Sequence, residues 1–310
     1  MIPEVSVVLP TYNRAETLPR AIDSVLSQTL DDIELIVVDD CSDDDTKHVV
    51  SQYDESVEYL RHQENRGAPA ARNTGIKASQ GNFVAFIDSD DEWKPGKLKS
   101  QLQVFKNSKL TPLGAVYTGF KTINDGQEEI GTVPSKRGDI FTQQLMKDWV
   151  NPTSTVMVKS RCFEDVGLFD SELPARQDYD MWLRISRQFK FDYVKEPVTI
   201  LHTDSSNRIT GDIGARMDGN KEILEKIKPD IESLGYVQRR HTWGYQYYTM
   251  GRFAQLAGRP SLAQSLLLRS LCSYPLYWKT WFALFIGVSP IDADNKYLLS
   301  AKNIWRNLRW

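Results

Sequence analysis

The 310-residue sequence has few cysteines and no long uninterrupted apolar segment. Its three cysteines are widely spaced and odd in number, which excludes a disulfide framework or a paired-cysteine zinc site and favours a reducing compartment. The longest apolar run near the C-terminus, Trp281 to Val288, is much shorter than the roughly 20 residues of a membrane-spanning helix. The first residues lack a secretion-signal pattern, because the polar residues Asn13 and Arg14 soon follow the apolar run Val5 to Leu9. We therefore expect a cytoplasmic protein that does not cross a bilayer.

Charge is distributed unevenly along the chain. The net charge is −3, but the segment from Gly235 to the C-terminus carries ten Lys or Arg residues against two acidic residues, Asp292 and Asp294. That segment also holds five of the eight tryptophans, namely Trp243, Trp278, Trp281, Trp305 and Trp310. Basic residues mixed with tryptophans suit an anionic membrane surface, so we expect peripheral contact with the inner face of the cytoplasmic membrane and no nucleic-acid partner. The alternative is a helical subdomain in which these tryptophans form the core.

Short β-branched runs alternate with helical stretches in the first part of the chain. Strands are predicted at Val5 to Leu9, Ile33 to Val38, Val57 to Leu60 and Phe83 to Ile87. Helices are predicted at Ala15 to Gln28, Asp43 to Tyr53 with Ser42 as its cap, and Pro69 to Ser79. This alternation indicates an α/β fold in which helices cover both faces of a mostly parallel, Rossmann-like sheet.

The second half has a less regular pattern. Further strands are predicted at Ala115 to Phe120, Thr153 to Val158, Phe191 to Val194 and Val198 to Leu201, with a polar loop from Asn124 to Arg137 and a helix from Gln177 to Phe189. After Gly211 the sequence is helical, with breaks at Gly235, Gly258 to Pro260, Pro275 and Pro290. We therefore divide the chain into an α/β domain, 1–210, and a helical extension, 211–310.

Polar clusters follow three of the predicted strands. They are Pro10-Thr11-Tyr12-Asn13-Arg14, Asp39-Asp40 and Asp88-Ser89-Asp90-Asp91. Ligands of open parallel sheets bind outside the carboxyl ends of the strands, so one crevice should collect all three clusters. Asp88 and Asp90 lie two residues apart and face the same side of an extended segment, where their oxygens suit Mg²⁺ or Mn²⁺ bridging a diphosphate. The alternative is an ordinary acidic turn.

Other residues of the crevice suit a nucleotide. Tyr12 can stack on a base and Asp39 can accept a hydrogen bond from a pyrimidine N–H. The alternatives are a half-buried loop aromatic and a carboxylate that caps the next helix through Ser42. Asn65-Arg66-Gly67 and Arg72 surround a helix start, where amide dipoles favour an anion, and Arg72 is the better diphosphate or base contact. A solvated surface arginine is the alternative.

Together these motifs closely resemble the inverting family-2 glycosyltransferases of GT-A fold. The matching segments are Ser6 to Arg14, Val37 to Ser42, Asn65 to Gly67, Ala71 to Gly75 and Phe86 to Trp93, in the family's order and spacing. The resemblance covers about residues 3 to 205. It implies a nucleotide site formed by Pro10, Thr11, Tyr12, Asn13, Arg14, Asp39, Asn65, Gly67, Arg72, Asp88 and Ser89.

The resemblance also implies the reacting groups. Asp88 and Asp90 match the family's metal motif, and His202 falls where some members place a phosphate or metal contact, although a loop histidine is the alternative. The acidic pair that opens a later helix gives Asp178 as the catalytic base. Here Gln177 replaces the usual glutamate of that pair. Asp180 is expected to orient Arg184 rather than to react.

The expected reaction moves one sugar from a nucleotide diphosphate sugar, UDP-linked by preference, to a hydroxyl of a lipid-linked glycan or surface-polysaccharide precursor, with Mn²⁺ or Mg²⁺. Processive relatives carry Gln-x-x-Arg-Trp, which Gln238 to Trp243 does not match. A nucleotidyltransferase would show a glycine-rich loop after the first strand, and Leu9 to Arg14 contains no glycine. A response regulator would leave the second half unexplained. A noncatalytic sugar-nucleotide-binding or scaffolding module, suggested by Gln177, is the main alternative.

Overall fold

The computed structural model describes residues 3–124, 126–203 and 212–288. Strands are β1 (Val5–Thr11), β2 (Ile33–Asp39), β3 (Glu58–Arg61), β4 (Phe83–Phe86), β5 (Asp91–Trp93), β6 (Leu113–Asn124), β7 (Gln127–Thr132), β8 (Val156–Lys159) and β9 (Lys190–His202). Helices are α1 (Leu18–Leu26), α2 (Thr46–Val50), α3 (Ala68–Ala78), α4 (Lys97–Asn107), α5 (Phe141–Met146), α6 (Arg161–Val166), α7 (Gln177–Gln188), α8 (Ile213–Ser233), α9 (Tyr236–Leu256), α10 (Pro260–Ser273) and α11 (Trp278–Val288). Two 3₁₀ turns cover Ser51–Ser56 and Thr153–Thr155.

These strands form one sheet in the order β3-β2-β1-β4-β8-β6-β9-β5, with β7 paired to β6. The first four strands of that order are parallel, as predicted, whereas β8 runs antiparallel to both β4 and β6. In the parallel register Thr11 lies opposite Asp39. The carboxyl ends of β1, β2 and β4 therefore share one edge of the sheet.

Successive side chains of the central strands point to opposite faces of the sheet and pack into two separate hydrophobic cores. Val7 and Leu9 pack on one face with α1 and α4, whereas Val8 and Phe86 pack on the other face with Trp182 of α7. These side chains are fully buried, and each large one contributes about 1.5 to 3 kcal/mol to the stability of the fold. Helices thus cover both faces, and the predicted α/β class is confirmed.

The predicted helix after the second strand begins later than expected, and Ser42 does not cap it. Helix α2 starts at Thr46. The Ser42 hydroxyl instead accepts a hydrogen bond from the Asn13 N–H, at 2.9 Å, and the Ser42 N–H donates to Asp39. Ser42 therefore joins the ends of β1 and β2, a contact between distant segments that the local sequence does not indicate.

Two further boundaries differ from the prediction. The polar loop expected from Asn124 to Arg137 contains β7, which pairs with the end of β6. This hairpin is polar on both faces, so it lacks the apolar alternation that identifies a strand. The two short strands expected between Phe191 and Leu201 form one continuous strand, β9, whose pairing with β6 shifts register near Gly119 and Pro197.

From residue 228 onward the chain forms a second compact unit, so the division falls within α8, between Ile227 and Lys228. Helices α9 and α10 pack closely because Gly244 and Gly251 have no side chain. A Cβ added at these positions would lie 2.6 Å from Tyr274 and 2.8 Å from Leu267, respectively.

Within the described residues, no helix is long and apolar enough to span a membrane. The predicted break at Pro290 and the tryptophans Trp305 and Trp310 lie outside the described residues.

Candidate active site

Asp39 lies fully buried at the end of β2 with both carboxylate oxygens engaged. Its Oδ1 accepts from the Ser42 N–H at 2.8 Å, and its Oδ2 accepts from Tyr59 Oη at 2.5 Å and Arg61 Nε at 3.2 Å. Opposite it on β1, the Thr11 Oγ1 is buried and makes no hydrogen bond with the described residues. The proposed base contact is therefore rigidly held beside a hydroxyl that can serve a ligand.

The loop after β1 places Pro10 to Arg14 at the same edge. Asn13 has a positive φ of 51°, and its side-chain Oδ1 accepts from the Asp43 N–H at 2.9 Å, which ties this loop to the end of β2. Pro10 is buried at the end of β1, whereas the Tyr12 ring is 45% exposed. Tyr12 is thus accessible for stacking.

Asp40 was not assigned a role by the sequence, yet it organises the next motif. Its carboxylate accepts from the main-chain N–H groups of Arg66, at 2.9 Å, and Gly67, at 2.6 Å. It also lies 2.7 Å from His62 Nδ1, while His62 Nε2 contacts Thr74 of α3. Gly67 has a φ of 85°, which only glycine adopts without strain. Asp40 therefore shapes the turn that carries Asn65 and Gly67 to the start of α3.

Arg72 of α3 is only 8% exposed, so it is not a solvated surface arginine. Its Nη2 donates to Asp88 Oδ1 at 2.6 Å, and its guanidinium lies 5.8 Å from the Phe169 ring centre. The Arg72 Nε is buried and makes no hydrogen bond with the described residues. A ligand phosphate that reaches this atom would satisfy it.

Ser154 is a second organising residue that the sequence did not reveal. Its hydroxyl accepts from the Asp88 N–H at 3.0 Å and donates to Asp91 Oδ2 at 2.5 Å. Its carbonyl accepts from Trp93 Nε1 at 2.8 Å. Lys97 covers the Trp93 ring at 3.7 Å, and burial lowers the pKa of this lysine. The contacts of Ser154 thereby hold the acidic motif, in which Ser89 is also buried.

The candidate metal ligands come from the segment between β4 and β5, which carries Asp88 and Asp90, and from His202 at the end of β9. Antiparallel pairing of Asp91 with Leu201 brings the adjacent residues Asp90 and His202 to the same end of this strand pair. The Asp90 carboxylate lies 3.9 Å from the Arg14 guanidinium, and His202 Nε2 lies 3.0 Å from Glu92 Oε2.

No group of three or more potential metal ligands occurs among the described residues. Mg²⁺ is usually held by one or two carboxylates, with substrate phosphates and water filling the other positions. Asp88 and Asp90 do not lie in the extended segment that was expected, because they lie in a turn in which the Asp91 N–H donates to the Asp88 carbonyl at 3.0 Å. Their carboxylates still supply the oxygen donors that this mode of binding requires, and the donor diphosphate would complete the ligand set.

Asp178 lies in the first turn of α7, where the helix dipole favours a negative charge. The neighbouring Gln177 Nε2 donates to the Leu173 carbonyl at 2.8 Å, a bond that a glutamate in this position could not make. Asp180 is buried and accepts from Arg184 Nε at 2.9 Å and Lys226 Nζ at 3.2 Å. Asp180 is therefore committed to side-chain contacts within the fold, whereas Asp178 Oδ1 accepts from the main-chain N–H of the adjacent Tyr179 at 2.8 Å.

A second carboxylate, Asp148, interacts with Asp178. Burial and the charge of Asp178 raise the pKa of Asp148 to about 7, while Arg176 acts in the opposite sense. Burial and the charge of Arg176 lower the pKa of Arg216 on α8, and the charge of Asp178 raises it. No sequence pattern indicates Asp148, which follows a short helix in the irregular run Lys147 to Pro152.

The segment 148–154 connects the two halves of the site. Asp148 interacts with Asp178 at one end, and Ser154 binds Asp88 and Asp91 at the other. Five residues separate Asp148 from Ser154, so the two ends are at most about 20 Å apart. The segment therefore links the acidic motif with the start of α7 within one compact unit.

Residues 6–163 match the sequence model of Glycosyl transferase family 2. The putative colanic acid biosynthesis glycosyl transferase WcaA of Escherichia coli is 31% identical over 252 residues, which cover 80% of this chain and 87% of that protein. An uncharacterized glycosyltransferase of Rickettsia prowazekii is 33% identical over 191 residues, 60% of this chain and 59% of that one. The chain therefore spans about three fifths of the length of that relative.

Two solved structures share the fold. S. aureus TarS 1-349 in complex with UDP-GlcNAc has a TM-score of 0.60 and 16% identity, covering 90% of this chain and 91% of that chain. The mannosyltransferase PcManGT from Pyrobaculum calidifontis, in complex with GDP-Man and Mn²⁺, has a TM-score of 0.59 and 18% identity, covering 99% and 88%. These likenesses confirm the predicted GT-A type fold.

Proposed function

The chain belongs to glycosyltransferase family 2, and from that premise we propose that it transfers one sugar from a nucleotide diphosphate sugar to an acceptor hydroxyl with inversion. The observation that supports the proposal is the segment 148–154, in which Ser154 binds the acidic motif at Asp88 and Asp148 interacts with the α7 carboxylate Asp178. A transferase needs a leaving-group site and a base together, and a binding module needs only the first.

On the donor side, the base of the nucleotide binds at Asp39 and Thr11, with Tyr12 stacking on it. Arg72 and the turn from Asn65 to Gly67 face the diphosphate. The TarS complex contains UDP-GlcNAc and the PcManGT complex contains GDP-Man, which supports a nucleotide sugar as the donor. We favour UDP, because the buried Asp39 carboxylate and the free Thr11 hydroxyl suit the N–H and carbonyl groups of a uracil.

Asp90 and Asp88, with His202, would hold Mn²⁺ or Mg²⁺ together with the donor diphosphate. When bound, the ion neutralises negative charge on the departing nucleoside diphosphate. Arg14 and Arg72 lie against Asp90 and Asp88, respectively, so these two guanidinium groups occupy the same anionic site.

Asp178 is the proposed base. Its carboxylate takes the proton of the acceptor hydroxyl while the acceptor oxygen bonds to the anomeric carbon. The bond from that carbon to the diphosphate oxygen breaks, and its electron pair leaves with the nucleoside diphosphate. This single displacement inverts the anomeric carbon and requires no nucleophile from the protein.

A donor screen tests this function. The protein is incubated with a panel of nucleotide sugars and Mn²⁺, and binding is read from the shift in melting temperature, because a ligand of the native state stabilises it. The donor that binds is then followed for release of nucleoside diphosphate, with and without polyprenyl-phosphate-linked sugars as acceptors. Acceptor-dependent release supports the transferase. Binding without release under any acceptor would establish the alternative, a noncatalytic binding module.

The acceptor is proposed to be a lipid-linked or polysaccharide precursor at the cytoplasmic leaflet. The relative WcaA is named for colanic acid biosynthesis, which supports a polysaccharide. One face of α11 is apolar and exposed: Trp278, Trp281, Phe282 and Phe285 follow the 3, 4 and 7 spacing of a helix face and are 53%, 57%, 37% and 75% exposed. From Gly235 to Val288 the chain has six basic residues and no acidic one. This composition suits an anionic lipid surface.

Vesicle flotation tests the membrane contact. The chain should float with phosphatidylglycerol-containing vesicles and much less with pure phosphatidylcholine, and the double variant W281S/F285S should lose this binding. Leu256→Ser, which changes another exposed apolar residue of the same unit, is the matched control and should float normally. Equal flotation of the double variant and the wild type would contradict the contact.

A further inference from the structure

Gln144, a fully buried residue of α5, holds two segments of the site together. Its side-chain Oε1 accepts from the Trp149 N–H at 2.6 Å, and its main-chain carbonyl accepts from Tyr179 Oη at 2.6 Å. Asp148 directly precedes Trp149, and Asp178 directly precedes Tyr179. One residue therefore contacts both residues that follow the two carboxylates, at the Trp149 main chain and at the Tyr179 hydroxyl, and this shared contact agrees with the interaction of the two acids across a long sequence separation.

The surroundings of Asp148 leave one of its oxygens available. Its Oδ1 is buried and has no hydrogen-bond partner in the described part of the chain. The charged groups around the pair are Asp178 itself, Arg176 before α7 and Arg216 on α8. Arg176 is anchored elsewhere, because its guanidinium donates to Asn220 Oδ1 and stacks on the Tyr179 ring at 4.4 Å.

The neighbouring lysines are also engaged. Lys147 and Lys136 cover the Trp149 ring at 4.5 Å and 4.6 Å. Both lysine ammonium groups therefore interact with the Trp149 ring, which lies beside the pair of Asp148 and Asp178. Two carboxylates in such a site hold a proton between them more readily than either does alone, because a second negative charge there is costly.

From this geometry we propose that Asp148 is a positioning residue that, when protonated, donates a hydrogen bond to the Asp178 carboxylate and holds it toward the acceptor hydroxyl. The inference rests on the proposed function, in which Asp178 is the base. Asp148 keeps its own proton throughout, while Asp178 receives the proton of the acceptor. The free Oδ1 and the raised pKa of Asp148, about 7, both agree with this protonated form.

The pH dependence of turnover tests the inference. The wild-type kcat should fall as pH rises through about 7, where Asp148 loses its proton. Asp148→Asn keeps an N–H donor at every pH, so its kcat should stay near the wild-type plateau and lose this decline. Asp148→Ala removes the donor and should lower kcat by about 10-fold to 100-fold below pH 7 without changing the KM for the donor. Asp165→Asn, an exposed aspartate on α6, controls for the change in net charge.

An Asn variant that behaves like the Ala variant, or that keeps the decline above pH 7, would overturn the inference. A ¹³C NMR titration of labelled aspartates gives a reading that needs no activity. One carboxyl should titrate near pH 7, vanish in Asp148→Asn and shift in Asp178→Asn. Absence of this signal defeats the pairing and leaves the transferase untouched, whereas donor binding by the wild type without acceptor-dependent release defeats the transferase and leaves the pairing, read by NMR, intact.

Discussion

The donor side and the base side of the candidate site are built in different ways. On the donor side, Asp39, Asp88 and the loop after Pro10 each lie at the end of a parallel strand, and the register of the sheet sets where those strand ends lie. On the base side, Asp178 stands at a helix start, and its neighbour Asp148 comes from an irregular segment. The first arrangement is fixed by the sheet, and the second depends on a few side-chain contacts.

This difference has a physical consequence for each side. The register of the sheet sets the position of a carboxylate at the end of a parallel strand. A substitution beside such a carboxylate should therefore lower the stability of the fold before it moves the carboxylate. The pair of Asp148 and Asp178 is held through Gln144, and its electrostatics change with pH. The donor side should therefore respond mainly in folding and binding, and the base side mainly in rate and pH dependence.

The largest effect on stability is expected from Asp40→Ala on the donor side. The change removes the partner of His62 and of two main-chain N–H groups in a buried site. The free energy of unfolding should fall by about 3 to 5 kcal/mol, measured by urea titration. Asp43→Ala, at an exposed neighbour, should stay within about 0.5 kcal/mol of wild type. An equal loss in both variants would contradict the organising role of Asp40.

Asp90→Ala should weaken donor binding in the presence of Mn²⁺ by about 10-fold to 100-fold, because the ion loses a carboxylate ligand. Calorimetry with the donor found in the screen measures this change. Binding without metal should differ little between the variant and wild type. Glu58→Gln, at an exposed position on β3, serves as the control. Unchanged Mn²⁺-dependent affinity in Asp90→Ala would remove this residue from the site.

Asp148→Asn should stabilise the fold at high pH, in contrast to the donor-side variant. The pKa of Asp148 is raised in the folded state, from 3.8 to about 7, so stability is lost as pH rises through about 7. Asparagine does not ionise, so the variant escapes this loss. Its advantage should be absent below pH 4, grow between about pH 4 and pH 7, and reach a few kcal/mol above pH 7, because about 3 pKa units are worth about 1.4 kcal/mol each. Melting curves across this pH range measure it. A variant that is less stable at pH 8 would refute the expectation.

The smallest effect is expected at Gln177, where the family usually carries glutamate. Gln177→Glu replaces the amide donor to the Leu173 carbonyl by an acceptor, so the free energy of unfolding should fall by about 1 kcal/mol. Gln177→Ala also removes the donor but adds no charge, which makes it the matched control. A gain in stability for Gln177→Glu would show that the glutamine is not adapted to this site.

Much of the donor side could be predicted from the sequence because apolar runs and the polar clusters after them identify strand ends. The parallel strands β1, β2 and β4, and the helix α7 that begins at Gln177, occur where the pattern indicates them. Strand β7 was missed because Gln127 to Glu129 shows no apolar alternation. Helix α4, which starts at the buried Lys97, was not predicted either.

The residues that organise the site were harder to predict. The sequence marks Asp39 and Asp40 as a pair, but only the turn of the chain after β2 decides that Asp40 binds the 66–67 main chain. Ser154 and Asp148 act through contacts between segments far apart in sequence, for which no local pattern exists. Asp148 interacts with the start of α7 because α5 packs on α7. The periodicity of side chains along the sequence does not specify this packing, so it could not identify Asp148.

The most direct test of a single site built from both sides is the turnover of Asp178→Asn with its donor affinity measured in parallel. The variant keeps the size of the side chain and removes only the base, so transfer should fall by about 10²-fold to 10⁴-fold while the donor binds as to wild type. Turnover within a few-fold of wild type, with donor binding intact, would contradict the assignment of Asp178 and the convergence of the two sides on one reaction centre.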